Sequence, residues 1–243
     1  MSKVKVRVVS VGHLPADIDL EKIKSWKSEI FELSEGIENY GLRSDSDTND
    51  WGYSDKNISS LLPDRGSEDF LVALVSVRLE DNYYARRVQD NKVVLTFYEI
   101  SDYLRQTNIP IENVVLRLLY AYSLLYRRSG ARIPENSEFT NFTHDETRGC
   151  IYDMNGLKED IVFSCVKPII CSECSERIVK EKVSQTSIDK AKSELSKIDK
   201  QLFYQIADWV KFHPIIAILV SSVWAIVLGV IGSLIVKGLF EKD

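Results

Sequence analysis

Residues 144–174 read HDETRGCIYDMNGLKEDIVFSCVKPIICSEC and contain all four cysteines of the chain and one of its three histidines. His144 and Cys150 are spaced as H-x5-C, and Cys171 and Cys174 are spaced as C-x2-C. Two short-range ligand pairs that a fold brings together are a common way to hold structural zinc, because a tetrahedral site needs four ligands. The stretch therefore predicts a structural zinc site made of His144, Cys150, Cys171 and Cys174.

Alternatives to this ligand set remain open. Cys165 can replace His144 in a four-cysteine site, although its apolar surroundings, IVFSCV, are typical of a small core residue. The stretch can also hold no metal at all. A redox dithiol formed by Cys171 and Cys174 is a weaker alternative, because the usual aromatic and glycine context is missing.

The composition indicates a soluble domain followed by an apolar end. Charged residues make up 28% of the 243-residue chain and the formal net charge is -5, which does not suggest a nucleic-acid binder. Residues 1–14, MSKVKVRVVSVGHL, have no continuous apolar segment, which argues against a secretory signal. The main domain is therefore expected in the cytoplasm, where four cysteines favour metal binding over disulfides.

Hydrophobic periodicity over residues 1–180 predicts an α/β fold with a mixed sheet, packed helices and a zinc-stapled C-terminal subregion. The predicted elements are strand 3–12, helix 20–33, loop 34–67, strands 70–79, 83–88 and 92–98, a short helix 98–106, a helix from Pro110, a β-rich segment 161–170 and a helix from Ser172. The helix from Pro110 is apolar over so much of its circumference that it is predicted to lie at the centre of the core.

The order of these elements resembles that of the archaemetzincins, a family of small α/β zinc peptidases. The segments VKVRVVSVGHL and IENVVLRLLYAYSLLYRR stand where that family has its first strand and its active-site helix. The second zinc site of the family, C-x4-C-x-M followed by C-x2-C, is matched by Cys150, Cys171 and Cys174, with His144 near the first cysteine. The resemblance covers about residues 3–178 and implies an archaemetzincin-like zinc-binding domain.

The same helix lacks the catalytic residues of that family. No HExxH occurs in the chain, and the helix has leucine, tyrosine and alanine where two histidines and a glutamate would stand. A metallopeptidase needs two imidazoles one helical turn apart and a carboxylate that activates water. The sequence therefore predicts a pseudo-metallopeptidase that has no catalytic residues and is not an enzyme.

The C-terminal end predicts a membrane anchor. Residues 215–236 carry no charge, and a helix of this length spans a bilayer core of about 30 Å. The predicted organisation is a zinc-binding cytoplasmic domain over residues 1–180, an amphipathic helical stalk over 181–213, a single transmembrane helix over 214–238 and a short tail over 239–243.

Two patterns in this end predict that the chain forms a homo-oligomer. Small residues recur at every fourth position of the span and let helices approach closely; they are Ser221, Ala225, Gly229 and Ser233. Apolar residues in the stalk follow a 3-4 alternation that predicts a coiled coil; they include Ile188, Leu195, Ile198, Leu202 and Trp209. The alternative is an amphipathic helix that packs on its own domain or lies on the membrane surface.

Together these features predict a non-enzymatic, membrane-anchored zinc-binding sensor or effector. It would recognise an unknown cytoplasmic protein or ligand and signal to, or assemble in, the lipid bilayer during a defence or stress response. One alternative is an active metal-dependent peptidase or hydrolase with unrecognised ligands. Another is a passive membrane scaffold for a partner enzyme.

Overall fold

The structure is a computed structural model that describes residues 2–34, 36–138, 140–145 and 147–240. The chain divides into two compact units, Met1–Asp199 and Lys200–Asp243. The strands are β1 (Val4–Val11), β2 (Phe31–Leu33), β3 (Glu38–Tyr40), β4 (Phe70–Val75), β5 (Ala85–Val88) and β6 (Lys92–Thr96). The helices are α1 (Leu20–Ser25), α2 (Asp55–Ser60), α3 (Ile100–Gln106), α4 (Glu112–Arg128), α5 (Ser172–Lys180), α6 (Gln185–Leu195), α7 (Leu202–Phe212) and α8 (Pro214–Phe240).

The first unit is built on one mixed sheet. The strand order is β2-β1-β4-β6-β5, and β3 also pairs with β1. All of these pairs are parallel except β5 with β6, which is antiparallel. The predicted α/β class with a mixed sheet is confirmed, and β5 forms one edge of the sheet.

Alternate residues of β4 belong to two different cores, as expected for a strand that is buried on both faces. The larger core contains Phe70, Val72 and Leu74 together with residues of α1, α3, α4, α5 and α6. The smaller core contains Leu71, Ala73 and Val75 together with Ile58 of α2. In α4 every side chain from Glu112 to Leu125 is buried, which confirms the central position predicted for this helix.

The first helix is shorter than predicted. α1 ends at Ser25, and the chain then turns into β2 instead of continuing as a helix to residue 33. The Ser28 hydroxyl accepts the backbone N–H of Ile30 at 2.9 Å, and the backbone N–H of Glu29 donates to Glu194 at 2.8 Å. These bonds occupy donors that a continuing helix would use, so they favour a turn at this point.

Two other segments also differ from the predictions. Residues 34–67 are not one long loop, because β3 and α2 lie within them. Residues 161–170 do not form a strand: Lys158–Ser164 is a 3-10 helix, and Ile169 forms only an isolated bridge with Cys150. Periodicity cannot separate a short buried strand from a buried helical turn, because both appear as short apolar runs.

The predicted stalk is not one continuous helix. Three of its residues are buried in the larger core of the first unit, namely Ile188, Leu195 and Ile198. The other two, Leu202 and Trp209, are exposed residues of α7 in the second unit. The structure therefore differs from the predicted coiled coil and from the predicted boundary at residue 180. The 3-4 spacing over residues 188–198 is that of an amphipathic helix packed on its own domain.

Among the residues described, α8 is the one helix that is long and apolar enough to cross a membrane. Its segment Pro214–Ile235 has a mean hydropathy of 2.6 and is not buried within the protein. At about 1.5 Å per residue this segment spans about 33 Å, slightly more than a bilayer core. Ser221 and Ser233 donate to carbonyl oxygens of their own helix at 2.7 and 2.9 Å, so these hydroxyls are satisfied without water.

Candidate metal centre

His144 and Cys150 lie on a turn whose two sides are joined by backbone hydrogen bonds. The N–H of His144 donates to the carbonyl oxygen of Tyr152 at 3.0 Å, and the N–H of Met154 donates to that of His144 at 2.9 Å. These bonds bring the two sides of the turn together. The H-x5-C pair is thus arranged locally, before any contact with α5 is considered.

A glycine allows the chain to turn immediately before Cys150. Gly149 has a φ of +90°, in the left-handed region that favours glycine. Its carbonyl oxygen accepts the N–H of Ile169 at 2.9 Å, and Ile151 donates to the carbonyl oxygen of Ile169 at the same distance. These two hydrogen bonds hold the turn that contains His144 and Cys150 against the segment that leads into Cys171.

The second ligand pair lies at the start of α5. Cys171 directly precedes the helix, and its Sγ accepts the backbone N–H of Cys174 at 3.4 Å. That N–H has no partner within the helix, so the sulfur caps it. A thiolate at this position also lies at the positive end of the helix dipole, which stabilises the ionised form that binds metal.

The four ligand atoms all lie within 4.8 Å of one another. Nε2 of His144 is 3.4 Å from Sγ of Cys150 and 3.6 Å from Sγ of Cys171, and the sulfurs of Cys150 and Cys174 are 3.9 Å apart. Around a tetrahedral zinc with Zn–S of about 2.3 Å and Zn–N of about 2.0 Å, adjacent ligand atoms are about 3.5–3.8 Å apart. The donor set and its spacing therefore fit zinc, and none of the four cysteines forms a disulfide.

The imidazole of His144 is oriented by a backbone carbonyl. Its Nδ1 lies 3.3 Å from the carbonyl oxygen of Asp145, which can accept a hydrogen bond from Nδ1–H. In that tautomer Nε2 has a free lone pair directed at the cysteine sulfurs. Such a bond to the outer nitrogen is the usual way in which a ligand histidine is held for a metal.

A hydrogen bond between two cysteines and a nearby arginine influence the charge of the cluster. The hydrogen bond between the Cys150 and Cys174 sulfurs lowers the pKa of Cys150 to about 5, and the same bond, together with burial, raises the pKa of Cys174. Zinc held by three thiolates and a neutral imidazole carries one net negative charge. Nη2 of Arg177 lies 3.5 Å from Sγ of Cys174 and offsets part of that charge.

Cys165 does not belong to the cluster. It is completely buried in the larger core, and burial raises the pKa of its thiol to about 12, which keeps it protonated. The structure brings together the four residues that the sequence selects, and it favours His144 over Cys165. Sequence reasoning missed the roles of Gly149 and Arg177, although a glycine directly before a ligand and a basic residue one turn after Cys174 were visible signals.

The fold and the cluster together define an α/β domain stapled by a Cys3His metal site. No known protein family matches the sequence, and no curated protein does. The fold is similar to the crystal structure of an archaemetzincin from Methanopyrus kandleri. The two chains are 13% identical, the match covers 74% of this chain and 95% of the other, and the TM-score is 0.46.

This comparison corrects the prediction that the chain is not an enzyme. The protein it resembles is an archaemetzincin, and the resemblance in the sequence is to a family of peptidases. The prediction of a pseudo-metallopeptidase is therefore withdrawn, because the absence of HExxH does not by itself show that the chain is inactive. The zinc prediction is independent of this correction, because it rests on the four donor atoms.

Proposed function

We propose that this protein is a membrane-anchored zinc protein whose first unit recognises a cytoplasmic protein or ligand. The observation that carries the proposal is the set of four donor atoms within 4.8 Å of one another. Zinc with four protein ligands has no open position, and when bound it would supply a crosslink between α5 and the turn that precedes it. Metal binding is then coupled to folding of the first unit.

Two features of the second unit support the proposal of a membrane anchor. In addition to the apolar α8, α7 has exposed apolar side chains along one side, namely Leu202, Phe203, Ile206, Trp209 and Val210. Its other side carries Asp208, which pairs with Lys200 at 2.7 Å. A helix with one apolar and one charged side next to a span is suited to the membrane–water interface. We infer that α7 lies in the interface and α8 crosses the bilayer.

Self-association belongs to the same proposal. The face formed by Ser221, Ala225, Gly229 and Ser233 would let two copies of α8 approach closely, and such contact would let a sensor or effector pass a binding event to the membrane. Gly229→Leu should lower the oligomer mass measured in detergent. Val230→Leu, one position away on another face, should leave that mass unchanged. Equal masses for all three proteins would contradict the association.

Zinc content tests the metal centre. The full chain, purified in neutral detergent, should contain one zinc per chain, and Cys171→Ser should lose most of it. Cys165→Ala is the matched control, because it changes a buried cysteine that lies outside the cluster and should keep the metal. Zinc loss from both variants, or absence of zinc from the wild type, would contradict the proposal.

The same samples discriminate the alternative functions. Peptidase activity that a chelator abolishes, or a second zinc per chain, would support a metal-dependent hydrolase. Co-purification of an enzyme from detergent would support a scaffold. For the anchor, the full chain should float with liposomes and resist alkaline extraction, whereas a chain that ends before Pro214 should not. Equal behaviour of the two chains would contradict anchoring by α8.

A further inference from the structure

A cleft of about 330 Å³ opens between the edge strand β5 and the helix α4 in the first unit. Tyr84 and Arg87 line it from the β5 side, Tyr122 lines it from α4, and Thr140 and Phe142 close another side. This cleft is separate from the four zinc ligands, none of which lines it. Its polar groups therefore need their own explanation.

Arg87 is a partly buried guanidinium in this cleft that forms no ion pair with any of the described residues. Within residues 2–34, 36–138, 140–145 and 147–240, no carboxylate forms an ion pair with it, and its side chain is bonded only to Thr140 Oγ1 at 3.4 Å. It also lies over the ring of Phe142, with Cζ 5.6 Å from the centroid. Burial lowers the pKa of Arg87, so its surroundings disfavour the charge. Its neighbour Arg86, in contrast, is bound by Asp55 at 2.6 Å.

Two tyrosine hydroxyls face the same cleft with hydrogen atoms to donate. Tyr122 is only 6% exposed, and its hydroxyl has no hydrogen-bond partner in the part of the chain that the structure describes. The hydroxyl oxygen of Tyr84 accepts from Nη1 of Arg117 at 3.4 Å, so its hydrogen remains available. Arg117 is itself completely buried and places a second positive charge behind Tyr84.

The one acidic side chain among the residues lining the cleft is paired with another arginine, although its charge also acts on Arg87. Glu138 is held by both terminal nitrogens of Arg132, at 2.7 and 2.6 Å, and it also accepts the backbone N–H of Glu135 at 2.9 Å. The charge that remains is the positive charge of Arg87 and Arg117. A partly buried charge and hydroxyl donors without protein acceptors are stabilised by a partner that accepts hydrogen bonds, so the cleft is suited to a ligand that only accepts them.

We propose that this cleft binds an oxyanion, the phosphate or carboxylate group of a small molecule, through Arg87 and the hydroxyls of Tyr84 and Tyr122. The planar guanidinium matches two oxygens of such a group, and the hydroxyls supply further donors. The cleft is larger than a single oxyanion, so the rest of the ligand would lie against Phe142. This proposal names a ligand class for the recognition proposed above and rests on it, but it does not depend on zinc or on the membrane.

Calorimetric titration of the full chain in neutral detergent tests the proposal. The probes are inorganic phosphate, acetate and chloride at constant ionic strength. Saturable binding of phosphate or acetate, but not of chloride, is expected, and the tighter of the two identifies a phosphate-bearing or a carboxylate-bearing ligand. Absence of saturable binding of both would overturn the proposal, while unchanged zinc content and flotation would leave the metal and anchor proposals standing.

Substitutions test which residues of the cleft bind the anion. Arg87→Gln should weaken binding of the titrated anion at least about tenfold, which is the loss expected for one charged hydrogen bond. Tyr122→Phe, which keeps the ring, should weaken it about threefold to tenfold. Arg105→Gln is the control for loss of charge, because Arg105 is an exposed residue of α3 paired with Asp17 at 2.6 Å. Equal effects of Arg87→Gln and Arg105→Gln would overturn the assignment, and near-ultraviolet circular dichroism verifies that each variant is folded.

Discussion

Replacing Ile188 with alanine tests whether α6 is part of the core of the first unit. The side chain of Ile188 is 0% exposed, and the substitution removes three of its carbon atoms. Transfer of those carbons accounts for about 2.4 kcal/mol at about 0.8 kcal/mol each, and the cavity brings the expected loss to about 2–5 kcal/mol. In a domain of this size the melting temperature should fall by about 5–15 °C.

The matched control is Ile206→Ala in α7. Ile206 is 54% exposed and belongs to the second unit, so its truncation should change the stability of the first unit by less than about 0.5 kcal/mol. Near-ultraviolet circular dichroism of the full chain in detergent measures the melting of the first unit, and light scattering measures the oligomer mass. If Ile188→Ala melts like Ile206→Ala and lowers the oligomer mass instead, α6 is a stalk and our placement of it is refuted.

Three further predictions concern the metal and the membrane. Gly149→Ala should release zinc to a competing chelator more readily, because a φ of +90° costs an alanine about 1–3 kcal/mol, whereas Gly156→Ala should not. Zinc binding should release protons, since the raised pKa of Cys174 keeps its thiol protonated, so zinc affinity should fall as the pH falls; calorimetry in two buffers measures the protons released. In single-tryptophan variants, deep brominated lipids should quench Trp224, near the middle of α8, more strongly than Trp209.

The ligands of the candidate metal site could be predicted because each pair is defined by local spacing. A C-x2-C pair at a helix start places both sulfurs on one side whatever the rest of the chain does. The choice between His144 and Cys165 required the structure. Cys165 follows the 3-10 helix that forms in place of the predicted strand, and its side chain is buried in the core away from the site. The orienting carbonyl of Asp145 is a backbone group, and no sequence pattern reveals it.

The strands of the sheet were predictable where their patterns are strong. β1 alternates, β4 is continuously apolar, and both form at the predicted places. The C-terminal end of α1 and the packing of α6 on the first unit were not predictable, because they involve contacts of Glu194 with residues far away in sequence. An amphipathic helix looks the same in sequence whether its apolar side meets its own domain, another copy or a membrane.

The oxyanion cleft has no sequence signature at all. Arg86 and Arg87 are adjacent and identical in type, yet among the described residues only Arg86 forms ion pairs with carboxylates. The difference arises because successive residues of a strand point to opposite sides. Tyr122 reaches the cleft from α4, whose pattern otherwise indicates only core packing.

The contacts of Glu194 affect how the first unit folds during synthesis. Its carboxylate accepts from Ser28 at 2.6 Å and from Tyr120 at 2.7 Å, across sequence separations of 166 and 74 residues. Contacts between such distant residues form late in folding, because long loops must first be closed. On the ribosome the domain therefore remains incomplete until α6 has emerged. A recombinant fragment that ends at residue 180 would expose one side of α4, so soluble expression should extend through Asp199.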